Sequence, residues 1–157
     1  TIGSNQILSK DEFINKTREL ARLFYERDKV VVYGATYPSS ILFNLQVDLL
    51  LMGKQLVFYP TKEKNKPIFI DDNDLLFIVT YSGRFLSFVQ NQTDKVLGLS
   101  QHIAAFTKEN KYKQDHLSSC EAFFPLPFEE DELESNILLM IVGDMIRYHY
   151  YYDYYKG

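Results

Sequence analysis

The chain has 157 residues, a formal charge of −4 and a pI near 5.4. That is the size of one domain, and its acidic balance argues against sequence-independent nucleic-acid binding, which needs clustered Lys and Arg. Its one cysteine, Cys120, cannot form an internal disulfide, and with no secretory signal this fits a reducing, cytoplasmic setting. No apolar run reaches the ~18 residues of a membrane span, so no membrane association is expected.

Residues 1–8 show no periodicity and read as a tail or linker; the start at Thr1 rather than Met suits a processed chain or an excised domain. Ser9-Lys10-Asp11-Glu12 then has capping-box spacing. A leading helix is expected over 9–26, with Phe13, Thr17, Leu20 and Phe24 on its inner side.

Val30-Val31-Val32-Tyr33 predicts a first strand feeding the loop Gly34-Ala35-Thr36-Tyr37-Pro38-Ser39-Ser40. Ile41 to Met52, closed by Gly53, predicts one largely buried helix with Pro38 in its first turn and a glycine cap. Gln55 to Tyr59 predicts the second strand. Lys62, Lys64 and Lys66 read as a solvated face, and Asp71-Asp72-Asn73-Asp74 as a turn, because the glycine and distal glutamate of a calcium loop are missing.

Leu75-Leu76-Phe77-Ile78-Val79 is a continuous apolar run, as expected of a strand covered on both faces, and it stops at Thr80-Tyr81-Ser82-Gly83-Arg84-Phe85. Here the chain offers hydroxyls, a permissive glycine and the start of a helix through Leu86, Phe88 and Val89, whose N-terminal N–H groups favour an anion such as phosphate. Lys95–Leu99 is expected as the fourth strand, Ser100–Lys113 as a helix, and Glu121–Leu126 as a short fifth strand confined to an edge by Pro125 and Pro127. After the acidic run Glu129–Glu132, a long helix through Leu133, Ile137, Ile141, Met145 and Tyr148 runs into a tyrosine-rich end suited to packing on the sheet or a partner subunit.

This alternation predicts an α/β fold: a three-layer α-β-α sandwich on a five-stranded parallel sheet in the flavodoxin-like order 2-1-3-4-5, one domain over 1–157. In that order the first and third strands are neighbours whose helices leave to opposite faces. A crevice opens at their carboxyl ends, where Gly34–Ser40 and Thr80–Phe85 would meet. No metal-ligand spacing is visible, and no cofactor is expected.

Three features together resemble a sugar-isomerase (SIS) domain, the phosphosugar-binding module of sugar isomerases and RpiR-type bacterial transcription regulators. These are the apolar strand into Gly34–Ser40, the helix ending Leu51-Met52-Gly53-Lys54, and Asn73-Asp74 leading into the strand that ends Thr80-Tyr81-Ser82-Gly83. The resemblance implies a phosphate loop in which Ser82 and Gly83 match directly and Thr80 replaces a serine. Gly34 matches the opening glycine of the first loop. Thr36 stands where glycine is common, with the serine displaced to Ser39 or Ser40, and Phe85 replaces a threonine that normally reaches the phosphate. Tyr81 completes the loop, and Arg84 is a candidate charge partner.

The resemblance further implies a homodimer that binds a sugar phosphate or amino-sugar phosphate. It contacts DNA only through an N-terminal helix-turn-helix domain absent from this chain, and it has no catalytic residues of its own. Two alternatives stay open: an aldose–ketose isomerase drawing its acid or base from His102 or Glu63, since His116 and His149 have no convincing partner in the sequence, and a vestigial domain, closed by Phe85, that only dimerises.

Overall fold

A computed structural model describes residues 8–59, 69–108, 120–126 and 132–156. The described segments form helix α1 (Lys10–Glu26), strand β1 (Lys29–Gly34), helices α2 (Thr36–Ile41) and α3 (Phe43–Leu51), strands β2 (Gln55–Tyr59) and β3 (Leu75–Val79), and helices α4 (Arg84–Phe88) and α5 (Gln90–Leu99). Strands β4 (His102–Thr107) and β5 (Ala122–Pro125) and helix α6 (Glu132–Tyr150) complete the fold, and the chain continues as a π-helical segment, Tyr151–Tyr155. The five strands are parallel in the order β2-β1-β3-β4-β5, as the alternation of elements predicts.

Sheet residues alternate between two cores, which is why the strands read as continuous apolar runs. Val30, Val32, Leu75, Phe77 and Val79 pack with Leu20, Phe24, Leu45, Leu139 and Ile146 from α1, α3 and α6. Val31, Tyr33, Leu76 and Ile78 face the other way, against Leu86 and Val96 of α4 and α5. Ser9 caps α1 as expected: its Oγ accepts from the Glu12 N–H at 3.2 Å and donates to the Glu12 carboxylate at 3.1 Å. Gly53, at φ 82°, ends α3 while the Lys54 N–H returns to the Leu49 carbonyl at 2.8 Å.

Three expectations are corrected. Lys95–Leu99 is helical, because Thr93 and Val96 bury one side of α5 at helical spacing. The fourth strand is His102–Thr107 instead, and the helix expected over Ser100–Lys113 is absent from its described part. Ala104 and Ala105 are poor strand formers in isolation, but each is fully buried, one on either side of the sheet, and between β3 and β5 that context overrides propensity. The one largely buried helix expected through Ile41–Met52, with Pro38 in its first turn, is two helices broken at the buried Leu42, whose N–H returns to the Ser39 carbonyl at 3.1 Å. Helix α3 buries only Leu45 and Leu49, and its other apolar residues Phe43, Val47, Leu50 and Leu51 are exposed. Pro125, paired with Thr107, sits on edge strand β5 as expected. Lys62, Glu63, Lys64, Lys66, His116 and Pro127 lie outside the described residues.

Candidate functional site at the carboxyl ends of β1 and β3

Gly34 is paired in register with Val79, so the loops leaving β1 and β3 begin side by side. They approach so closely that a Cβ on Gly34 would lie 2.1 Å from the Val79 carbonyl oxygen. No side chain fits there. The same Cβ position is 3.6 Å from Ser39 Oγ, so the buried Ser39 brings its hydroxyl to the β1–β3 junction from the first turns of α2. Thr36 opens α2. Ser40 is exposed and turned back on its own helix, donating to the Tyr37 carbonyl at 2.6 Å.

Beyond Val79 the chain folds into a turn held by its own hydroxyls. Thr80 is almost completely buried; its N–H donates to Phe106 at 3.0 Å, and its Oγ1 accepts from the Gly83 N–H at 3.3 Å. Gly83 has φ 82°, a left-handed conformation that glycine adopts without steric penalty. Ser82 Oγ accepts from the Arg84 N–H at 3.2 Å and from Arg84 Nε at 3.1 Å. The guanidinium is therefore folded over the turn rather than extended into solvent.

The structure separates the remaining candidates. Phe85 turns inward, its ring 5.6 Å from that of Tyr33 in the core beneath α4 and α5. The helix after the turn is short, Arg84–Phe88, and breaks at Val89. Its dipole is correspondingly small, since the field grows by aligning successive peptide units. The turn is built from hydroxyls and backbone N–H groups rather than a long helix, and the N–H groups of Gly83 and Arg84 are paired within it.

Tyr81 leads to residues that the sequence pattern did not single out. Its hydroxyl donates to Asn136 Oδ1 at 2.5 Å, and Asn136 Nδ2 donates to the Tyr37 hydroxyl at 3.4 Å. Burial pushes the Tyr81 hydroxyl far above the ordinary tyrosine range, with Tyr37 and Glu132 adding to the effect, so it remains a neutral donor. The network links the β3 turn, α2 and the start of α6. At the neighbouring strand end, Thr107 is buried and its Oγ1 has no hydrogen-bond partner among the described residues. A lone Asn in a helical pattern gives no signal of such a role; only the docking of α6 across the strand ends reveals it.

The described histidines lie elsewhere. His102 begins β4 at the amino ends of the strands, away from the crevice, where Nδ1 donates to Glu121 at 2.5 Å and Nε2 accepts from Arg27 at 2.9 Å. His149 is buried between α1 and α6, 3.1 Å from Thr17. The acidic turn before β3 has a structural role, with buried Asp74 ion-paired to Lys29 and accepting from the Asp71 N–H at 2.8 Å. No cluster of three or more metal-ligating side chains occurs among the described residues, and no described helix is long and apolar enough to cross a membrane.

No protein-family model matches the chain, and no curated protein does. Solved structures place its architecture among sugar-isomerase domains. It is similar to the hypothetical protein MJ1247 from Methanococcus jannaschii, whose crystal structure infers a molecular function of 3-hexulose-6-phosphate isomerase (TM-score 0.69, 18% identity, 97% of this chain and 88% of the other). It is also similar to the sugar isomerase domain of the RpiR transcription factor from Sphaerobacter thermophilus (TM-score 0.65, 13% identity, 91% and 83%). A third similar structure is the Vibrio vulnificus NanR protein complexed with ManNAc-6P (TM-score 0.60, 16% identity, 90% and 57%). The fold is thus the SIS α/β fold, which both isomerase-like proteins and regulator domains use.

Proposed function

We propose that this chain is the phosphosugar-binding, effector-sensing and dimerisation domain of an RpiR-type regulator. The observation that carries the reading is the meeting of two loops at one point of the sheet. Ser39 reaches over the Gly34–Val79 junction, beside the Thr80–Arg84 turn with its paired hydroxyls and left-handed glycine. Such a turn recognises a phosphate through backbone N–H groups and hydroxyls, and Arg84 adds a planar cation suited to oxyanions. The complex of NanR with ManNAc-6P supports an amino-sugar phosphate as one ligand class. Binding one arrangement of a dimer more tightly than another would shift the population of the two, and so the placement of attached DNA-binding domains.

Sensing is favoured over isomerisation because the described histidines, His102 and His149, lie away from the crevice. General acid–base catalysis needs a group within hydrogen-bond reach of the reacting proton. The inward packing of Phe85 speaks against that ring as a plug of the site.

The test is a thermal-shift series with sugar phosphates, amino-sugar phosphates and their unphosphorylated parents. A phosphosugar present at about 100 times its Kd should stabilise the fold by ~2.7 kcal/mol, and its parent should not. Ser82→Ala should then weaken binding by about one to two decades, the equivalent of ~1.5–3 kcal/mol for a lost hydrogen bond to a charged group. Ligand recovered unchanged supports sensing, and conversion to the isomeric phosphosugar supports the enzyme. Unaltered affinity in Ser82→Ala would overturn the assignment of the turn.

A further inference from the structure

Three helices lie side by side on the sheet face that α1 covers: α3 against β2, α6 in the middle, and α1 beside β5. The outer side of α1 is charged, through exposed Arg18, Arg22 and Glu26. The other two helices differ. On α3, Phe43, Val47, Leu50 and Leu51 recur at helical spacing on the side opposite buried Leu45 and Leu49, and Leu51 is 76% exposed. On α6, Ile137, Met140 and Ile141 occupy the side opposite buried Leu139, Val142 and Ile146, and Met140 is 57% exposed. The stripe continues through Tyr148, Tyr152 and Tyr155. A helix apolar on both sides is ordinarily buried on both sides.

We infer that the outer face of α3 and α6 is the surface on which a second copy of this chain docks, with the two α6 helices antiparallel across a two-fold axis. Taking ~200 Å² per large side chain, the exposed parts of these stripes amount to roughly 1,000 Å² of apolar surface. Monomers rarely leave open more than a few hundred Å² of contiguous apolar surface, whereas a standard interface takes about 800 Å² from each partner.

The face is also complementary to itself. α6 carries aliphatic side chains in its first half and tyrosines in its second, with Asp144 and Arg147 between them. Arg147 is half-exposed and already 3.4 Å from Asp48 of α3, so an incoming Asp144 would add a second carboxylate to it. An antiparallel crossing centred between Asp144 and Arg147 sets each against the other in the second copy. It also brings Met140 opposite the second copy's Tyr151, and Ile137 near its Tyr155. Between α3 and α6 a notch of about 100 Å³, lined in part by Leu45, Asp48, Met140 and Arg147, lies within the same face. The inference names the surface for the dimerisation part of the proposed function and does not depend on whether a sugar phosphate binds.

The experiment is molar mass in solution by light scattering and sedimentation, without ligand, for the whole chain and three variants. The wild-type chain should be a dimer at micromolar concentration. Ile137→Arg, at an exposed position, should raise the dimer dissociation constant by at least about 30-fold, as loss of an interface hot spot does, with an unchanged circular dichroism spectrum. Asp144→Lys, which would face Arg147 of the second copy, should weaken the dimer, and more so at low salt. Asn15→Arg, on the outer side of α1, should leave it intact. A monomeric wild type, or a dimer indifferent to Ile137→Arg, would overturn the inference. So would a monomer that dimerises only after removal of residues 1–7, because the face would then belong to the chain's own N-terminal segment. A dimer that ignores every phosphosugar would sustain this inference while the sensing reading failed.

Discussion

Gly34→Ala tests the geometry on which the site depends. The added methyl would be built 2.1 Å from the Val79 carbonyl oxygen and 3.1 Å from its carbonyl carbon. Both are backbone atoms, so no side-chain rotation relieves the clash; β1 and β3 must part by about an ångström, and overpacking of that kind costs ~1–3 kcal/mol. The strands pair in register up to this residue, so the separation falls on the last ladder step and carries the Ser39 and Thr80 loops apart. Gly98→Ala is the matched control: apart from its chain neighbours and its own helix backbone, no atom of the described residues lies within 4 Å of its Cβ position on helix α5. Replacing glycine in a helix should stabilise by about 0.5–1 kcal/mol. Urea unfolding should therefore move the two midpoints in opposite directions at constant m-value. Gly34→Ala as stable as the wild type would show that the β1–β3 junction is looser than described, and the convergence of the two loops would lose its structural basis.

Other outcomes follow from groups away from the crevice. His149 accepts no water-exposed role: Thr17 Oγ1 donates to the backbone carbonyls of Phe13 and Ile14 at 3.1 and 3.0 Å, so it accepts from His149 Nε2–H. Burial, then the charge of Arg18, holds the imidazole below its ordinary value of 6.5. The unfolded chain therefore binds a proton before the folded chain does as pH falls; His149 contributes nothing adverse above that value, and stability declines below it until the folded-state pKa is reached. His149→Gln should flatten this part of the stability–pH profile, and an unchanged profile would refute the assignment. Lys54, buried at the end of α3, donates to the carbonyls of Tyr25, Arg27 and Asp28, tying the exit of α1 to the start of β2. Lys54→Met should lower unfolding stability by ~1.5–3 kcal/mol, the range for hydrogen bonds from a charged donor; a loss within error would mean that these carbonyls are satisfied without it.

The element pattern of the first half of the chain is legible because each signal there is local. Ser9 and Glu12 mark a helix start through contacts three residues apart, Gly53 marks a helix end through its own φ, and the runs at 30–33 and 75–79 announce strands buried on both sides. The alternation of elements then leaves few topologies for a parallel sheet with right-handed crossovers, and the order β2-β1-β3-β4-β5 is among them. Ser82 and Gly83 could be singled out for the same reason: a turn's chemistry is written in its own residues.

Tertiary structure decided the rest. His102–Thr107 becomes a strand because two neighbouring strands and two helical layers enclose its alanines, an environment that no window of sequence encodes. Phe85 turns to Tyr33, Asn136 joins Tyr81, and Gly34 admits no side chain because of contacts spanning roughly 45 to 55 positions along the chain. Local residue chemistry thus set which elements form and which loops carry hydroxyls. Only long-range packing could decide which side chains share the crevice and which helix faces remain uncovered, since both depend on surfaces brought together after the elements exist.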